Sequence, residues 1–132
     1  MAREIKFRAW HSVLNEMFPN VQNHINDKVW AFGSMLKDPE RFIIEQYTGL
    51  KDNNGKEIYE NDVLEYTVFD FTDNDTQFKG VVKWIGSGFI VTQIPDKLCN
   101  GDYGLELFWV SQQDCELEII GNIHENKELL NK

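Results

Sequence analysis

The chain has 132 residues, 42% hydrophobic and 13% aromatic, which is enough for one folded domain with a real core and excludes a disordered chain. Thirteen Lys and Arg against 22 Asp and Glu give a net charge of −9, which argues against non-specific attraction to nucleic acid or to an anionic membrane. No apolar run approaches the roughly 20 residues of a membrane helix. The charged start (Arg3, Glu4, Lys6, Arg8) lacks the apolar core of a signal peptide, so the cytoplasm is the expected location.

Taken in order, residues 4–10 alternate with strand period. Ile5, Phe7 and Ala9 share one face, and Lys6, Arg8 and Trp10 share the other. Basic groups beside Trp10 resemble a nucleic-acid-contacting strand, but Arg3, Lys6 and Arg8 are too few, and a half-buried strand is the reading. Residues 12–38 fit neither period. Apolar residues from Met17 to Leu36 are interrupted by Asn20, Asn23, Asn26 and Asp27, and Pro19 and Pro39 push their preceding residues away from helix. A short strand over 28–32 and long loops are expected there. Residues 40–47 alternate well enough for a strand.

The centre of the chain carries strong turn chemistry. In Asp52-Asn53-Asn54-Gly55, Asn and Gly accept positive φ at little steric cost, and Asn-Gly between extended runs signals a hairpin. A second turn follows at Tyr59-Glu60-Asn61-Asp62. A strand is expected over 63–69, with Leu64, Tyr66 and Val68 opposite Glu65 and Thr67. After a polar loop over 70–77 come a strand at 80–84, a Gly-Ser-Gly turn and its partner at 89–92. A long loop leads to a strand at 105–110, and a last strand alternates over 115–123. Residues 125–131 read as a short helix, with Asn126 as its cap and Leu129 and Leu130 docking on the sheet. The fold class is therefore mainly β with minor α. The expected form is a small SH3-like barrel over about residues 58–124, with the N-terminal strand, the hairpin and the terminal helix packed against it, in one domain over 1–132.

Three stretches carry a family resemblance. Tyr47-Thr48-Gly49-Leu50-Lys51-Asp52, then Asn54-Gly55-Lys56-Glu57-Ile58-Tyr59-Glu60 and Asp62-Val63, form the first. The opening 3–10 and the closing Ile119-Ile120-Gly121-Asn122-Ile123-His124-Glu125-Asn126 are the others. Together they resemble the YopX family of bacteriophage and prophage proteins. Asn61 stands where that family often has Gly, and His11 where it often has an acid. The resemblance implies a phage or prophage lineage, hence a bacterial cytoplasm, and a shared fold. It brings no established activity.

No catalytic constellation is legible. Gly86-Ser87-Gly88 lacks the spacing of a nucleophile elbow, and no phosphate loop is present. Cys99, Cys115, His11, His24 and His124 lack metal-ligand spacing. Asp70, Asp73 and Asp75 lack the Gly and Glu of a calcium loop and read as a solvated loop. Both cysteines read as ordinary thiols. His124 reads as a junction residue held by backbone or by Glu125, and most of the four Trp as core. No enzyme, cofactor or metal is expected. Charge offers the remaining signal. From 45 to 75 nine acids face only Lys51 and Lys56, and Glu57, Glu60, Asp62 and Glu65 are the candidate partner face. The expectation is a non-catalytic accessory module that binds an unidentified host or phage protein and does not bind nucleic acid directly. The alternative is a nucleic-acid-linked module or a DNA mimic acting on a basic DNA-binding protein.

Overall fold

The alternation at the start of the chain decides how the molecule is layered. Strand β1 (Phe7–His11) turns Phe7 and Ala9 to one side and Arg8 and Trp10 to the other, and both sides are covered. The computed structural model describes residues 4–25, 31–68, 76–92, 104–108 and 117–131. Within them β1 is followed by β2 (Glu16–Phe18), a 3-10 turn (Val21–Asn23), helix α1 (Phe32–Leu36), β3 (Phe42–Lys51), β4 (Glu57–Tyr59), β5 (Asp62–Val68), β6 (Thr76–Trp84), β7 (Phe89–Thr92), β8 (Gly104–Glu106), β9 (Glu118–Asn122) and a 3-10 helix (Lys127–Asn131).

The chain is mostly β, as the alternating runs imply, and the strands form two antiparallel sheets. The first has the order β2-β1-β3-β4, and the second the order β8-β7-β6-β5-β9. Among the described residues β8 and β9 are the edges of the second sheet. Each sheet has its own apolar cluster. Ala9, Val21, Met35 and Phe42 pack with Phe7, Phe18, Phe32 and Ile44 under α1. Ile58, Leu64, Tyr66, Val82, Val91, Leu107 and Leu117 form the second cluster, with Leu50 against them. Ile58 and Leu50 come from β4 and β3, so the first sheet reaches into the core of the second.

The two turns read from the sequence hold these layers in place. Asp52 Oδ1 accepts the amides of Asn54 and Lys56, both at 2.9 Å, which fixes the hairpin tip with Gly55 at φ +81°. Its other oxygen, Oδ2, accepts Ile119 N–H at 3.0 Å, and Asn53 N–H donates to Leu117 O at 2.9 Å, which ties the hairpin to the last strand. In the second turn Asn61 takes φ +68°. Its N–H donates to Val82 O at 2.9 Å and its carbonyl accepts Ile123 N–H at 3.0 Å. That single left-handed residue passes the chain from the first sheet to the second.

Three expectations differ from the structure. Of the strand read over 28–32, residues 28–30 lie outside the described set, and Phe32 opens α1 instead. Phe32 and Met35, one turn apart, both face the first core. The short terminal helix read over 125–131 is present as a 3-10 helix over Lys127–Asn131. Asn126 does not cap it by side chain; its Oδ1 turns back to accept Asn122 N–H at 3.2 Å. Leu129 is half-buried, whereas Leu130 is exposed. Cys99, Cys115, Trp30, Trp109 and the acids Asp70, Asp73 and Asp75 lie outside the described residues.

Candidate functional site

Where the two sheets meet, Arg8, Trp10, Glu45, Asp62 and His124 converge from β1, β3, β5 and the segment after β9. Glu45 is 1% exposed and makes three side-chain contacts. Arg8 Nε donates to Oε1 at 2.8 Å, His124 Nε2 donates to Oε2 at 2.8 Å, and Asn61 Nδ2 donates to Oε2. An ionised carboxylate only accepts, so the bond to His124 puts a proton on Nε2. Arg8 Nη2 donates to Asp62 Oδ1 at 2.9 Å and to Glu60 O at 3.0 Å. Asp62 Oδ2 accepts Tyr59 N–H at 2.8 Å. Rings close the cluster. Trp10 stacks on His124 with centroids 5.0 Å apart and planes at 10°, and Arg8 lies 4.9 Å over Tyr59.

Electrostatics follow from this burial. Loss of water disfavours the Arg8 charge, but Asp62 and Glu45 overcome it and raise the guanidinium above its ordinary value. Burial pushes the Asp62 carboxyl up to about 6, against the pull of Arg8 and of the Tyr59 amide. Burial also raises Glu60, opposed by the Gln46 amide. A buried ion cluster of this kind adds little net stability, yet removing one member leaves a stranded charge that costs about 3–5 kcal/mol. With Glu45 bonded three ways and barely exposed, the cluster clasps the two sheets together. Among the described residues no three His, Cys, Asp or Glu side chains converge as a metal-ligand set.

The four carboxylates read as a partner face are dispersed. Glu57 is half-buried, and its Oε2 accepts Lys6 Nζ at 2.6 Å. Glu60 Oε1 accepts Gln46 N–H at 2.9 Å, and Asp62 belongs to the clasp. Glu65 sits on β5, where its Oε1 accepts Gln77 Nε2 at 2.8 Å. Glu57, Glu60 and Asp62 are thus near one another around Lys6 and Arg8, and Glu65 is apart from them. His124 is held by Glu45 rather than Glu125, whose Oε1 instead accepts Asn122 Nδ2.

A second region was hidden in the sequence. Around the β6–β7 turn, Trp84, Ile85 and Phe108 are 52%, 54% and 57% exposed. The turn is closed by Ile85 N–H donating to Gly88 O at 3.0 Å, and Trp84 lies 5.0 Å from the Phe89 ring. A groove of about 500 Å³ runs here between the sheets, lined by Thr48, Leu50, Ile85, Phe89, Leu107 and Phe108. The signal was present: Trp84 and Ile85 are consecutive, so a period of two cannot point both inward.

The family model for the YopX protein matches residues 6–131. The chain belongs to the YopX family. It is also similar in structure to protein EF1440 from Enterococcus faecalis, with a TM-score of 0.61 and 25% identity over 98% of this chain and 100% of that one. No curated protein sequence matches. The YopX stretches named above now have physical roles. Asp52 joins the hairpin to β9, Asn61 and Asp62 shape the crossing between sheets, and His124 completes the clasp.

Proposed function

We propose that this YopX chain is a non-catalytic accessory protein of phage or prophage origin that acts by binding a host or phage protein. The observation that carries the reading is the open apolar end, where Trp84, Ile85 and Phe108 are exposed and Ile85 and Phe108 line a groove of about 500 Å³. Exposed large apolar side chains around a groove are a mark of contact sites. Asp52, Asn61, Asp62 and His124, from the stretches that carry the family resemblance, are engaged inside the fold and leave the contact to other residues. The acidic stretch contributes less to a contact than its sequence suggests. Glu45, Asp52 and Asp62 are buried, and Glu57 and Glu60 are bonded within the protein. A DNA mimic would need such acids outward, so the protein-contact reading is preferred.

The test is affinity capture from bacterial lysate with the purified chain, run beside a Trp84→Gln/Phe108→Gln variant of equal thermal midpoint. A protein held by the parent and lost by the variant is the expected result. Capture that ignores the substitutions defeats this placement of the contact. Fluorescence anisotropy with labelled duplex and single-stranded oligonucleotides near physiological salt should show no binding, and micromolar affinity there would reinstate the nucleic-acid reading.

A further inference from the structure

The first sheet carries a cleft of about 640 Å³ on its Lys6 and Arg8 face, bounded by Met17 and Pro19 on one side and by Lys51, Lys56 and Tyr59 on the other. This is the size of a small-ligand site. In a chain with 13 basic residues and a net charge of −9, four basic side chains line this one cleft, with Glu57 as its single carboxylate. The four are not equivalent. Lys6 is neutralised by Glu57 at 2.6 Å and Glu4 at 3.0 Å, and Arg8 by Glu45 and Asp62. Lys51 and Lys56 form no ion pair among the described residues and stand on either side of the Asp52–Gly55 turn. They are the two lysines of the cleft outside these ion pairs, with Lys51 opposite Glu57 in the β3–β4 register.

Arg8 adds a fixed donor. Its side chain is 12% exposed. Nε and Nη2 are bonded to Glu45, Asp62 and Glu60 O, while Nη1 has no hydrogen-bond partner among the described residues. The guanidinium is locked by these bonds and by the Tyr59 ring, and Arg8 is one of the side chains that line the cleft.

We propose that this cleft binds a small organic phosphate. Two ammonium groups outside any ion pair among the described residues suit a phosphomonoester, which carries about −1.5 to −2 at neutral pH, and lysine binds phosphate as a point charge. Met17, Pro19 and Tyr59 give the organic part an apolar wall that inorganic phosphate cannot use. The proposal is independent of the protein contact at the apolar end, which lies on other residues.

Isothermal titration of the full chain with adenosine monophosphate, ribose 5-phosphate and inorganic phosphate tests it. At least one organic phosphate should bind saturably in the micromolar to millimolar range and more tightly than inorganic phosphate. Lys51→Glu/Lys56→Glu should weaken it by at least about tenfold, with an unchanged thermal midpoint, and backbone amide shifts on binding should centre on Asn20 and Gly55. Lys83→Glu, an equal change of charge per residue on exposed β6, should leave affinity within about twofold. Three results overturn the proposal: no saturable binding by either organic probe, equal binding of inorganic phosphate, or equal loss from Lys83→Glu.

Discussion

The clasp between the sheets and the open end beyond β6 invert the usual placement of residues. The carboxylates of Glu45 and Asp62 are buried at the clasp beside the half-buried Arg8 and His124, whereas Trp84, Ile85 and Phe108 are exposed at the open end. Arg8, Asp62 and His124 lie in the stretches that carry the family resemblance, whereas Trp84, Ile85 and Phe108 lie outside those stretches. Arg8, Glu45, Asp62 and His124 are constrained by one another, because any one of them alone would be a stranded buried group. Trp84 and Ile85 carry no charge that burial would strand, and both are exposed.

The most severe way to break the comparison is Arg8→Met. The apolar part of the side chain survives, but Glu45 and Asp62 lose their cation. Chemical denaturation at neutral pH should show a loss of about 3–5 kcal/mol. A loss below about 1 kcal/mol would mean that the clasp is a solvated surface pair after all.

Acid should sharpen the same comparison. Burial holds the folded Asp62 carboxyl up to about 6, against an ordinary value of 3.8. The folded chain therefore binds this proton more tightly than the unfolded chain. Asp62 favours folding most below about pH 4, and that contribution is lost as pH rises through about 6. Relative to Asp62→Asn, which cannot titrate, the parent should lose stability between those limits, on the order of 2 kcal/mol. The cost of Arg8→Met should be smaller at pH 4.5 than at pH 7, since a neutral Asp62 needs no partner. Parallel stability curves for parent and Asp62→Asn would sink the assignment.

The hairpin is the next smaller effect. At Gly55 a Cβ would meet nothing within 4 Å, so the strain in any substitution comes from φ +81° alone. Gly55→Val should cost ~1–2 kcal/mol and Gly55→Asn much less. Equal thermal midpoints for Gly55→Val and the parent would contradict the turn.

What could be read from the sequence depended on sequence distance. Asp52 to Gly55 and Asn61 announce their turns because the chemistry of a turn lies within four residues. Strands at 63–69, 80–84 and 89–92 announce themselves because alternation is local. The Glu45–His124 bond spans 79 positions, and no local pattern signals it. Arg8 was legible as a strand residue, but its periodicity cannot say that the polar face is as covered as the apolar one. The same limit applies to the candidate face. Glu57, Glu60 and Asp62 look like a row of surface acids until the topology brings Lys6 and Arg8 between them. The 12–38 stretch resisted reading because α1 is a single turn, too short for helical periodicity to emerge.

The smallest expected effect lies at the open end, and it tests the comparison from the other side. Trp84 is the end of β6, half in solvent, and its ring touches Phe89 without entering the core cluster of Leu64, Tyr66, Val82 and Val91. Trp84→Gln removes an apolar surface that contributes to no buried contact network. The thermal midpoint should stay close to the parent's, within about 0.5 kcal/mol of stability. Binding of a hydrophobic reporter dye by the folded protein should fall, because one of the large exposed apolar side chains of this end is removed. Trp10 offers the matched control. It is buried against His124, and Trp10→Gln should destabilise strongly, as core Trp truncations do at about 3–5 kcal/mol. If Trp84→Gln proved as destabilising as Trp10→Gln, the exposed aromatic end would be part of the fold, and the protein-contact reading would lose the observation that supports it.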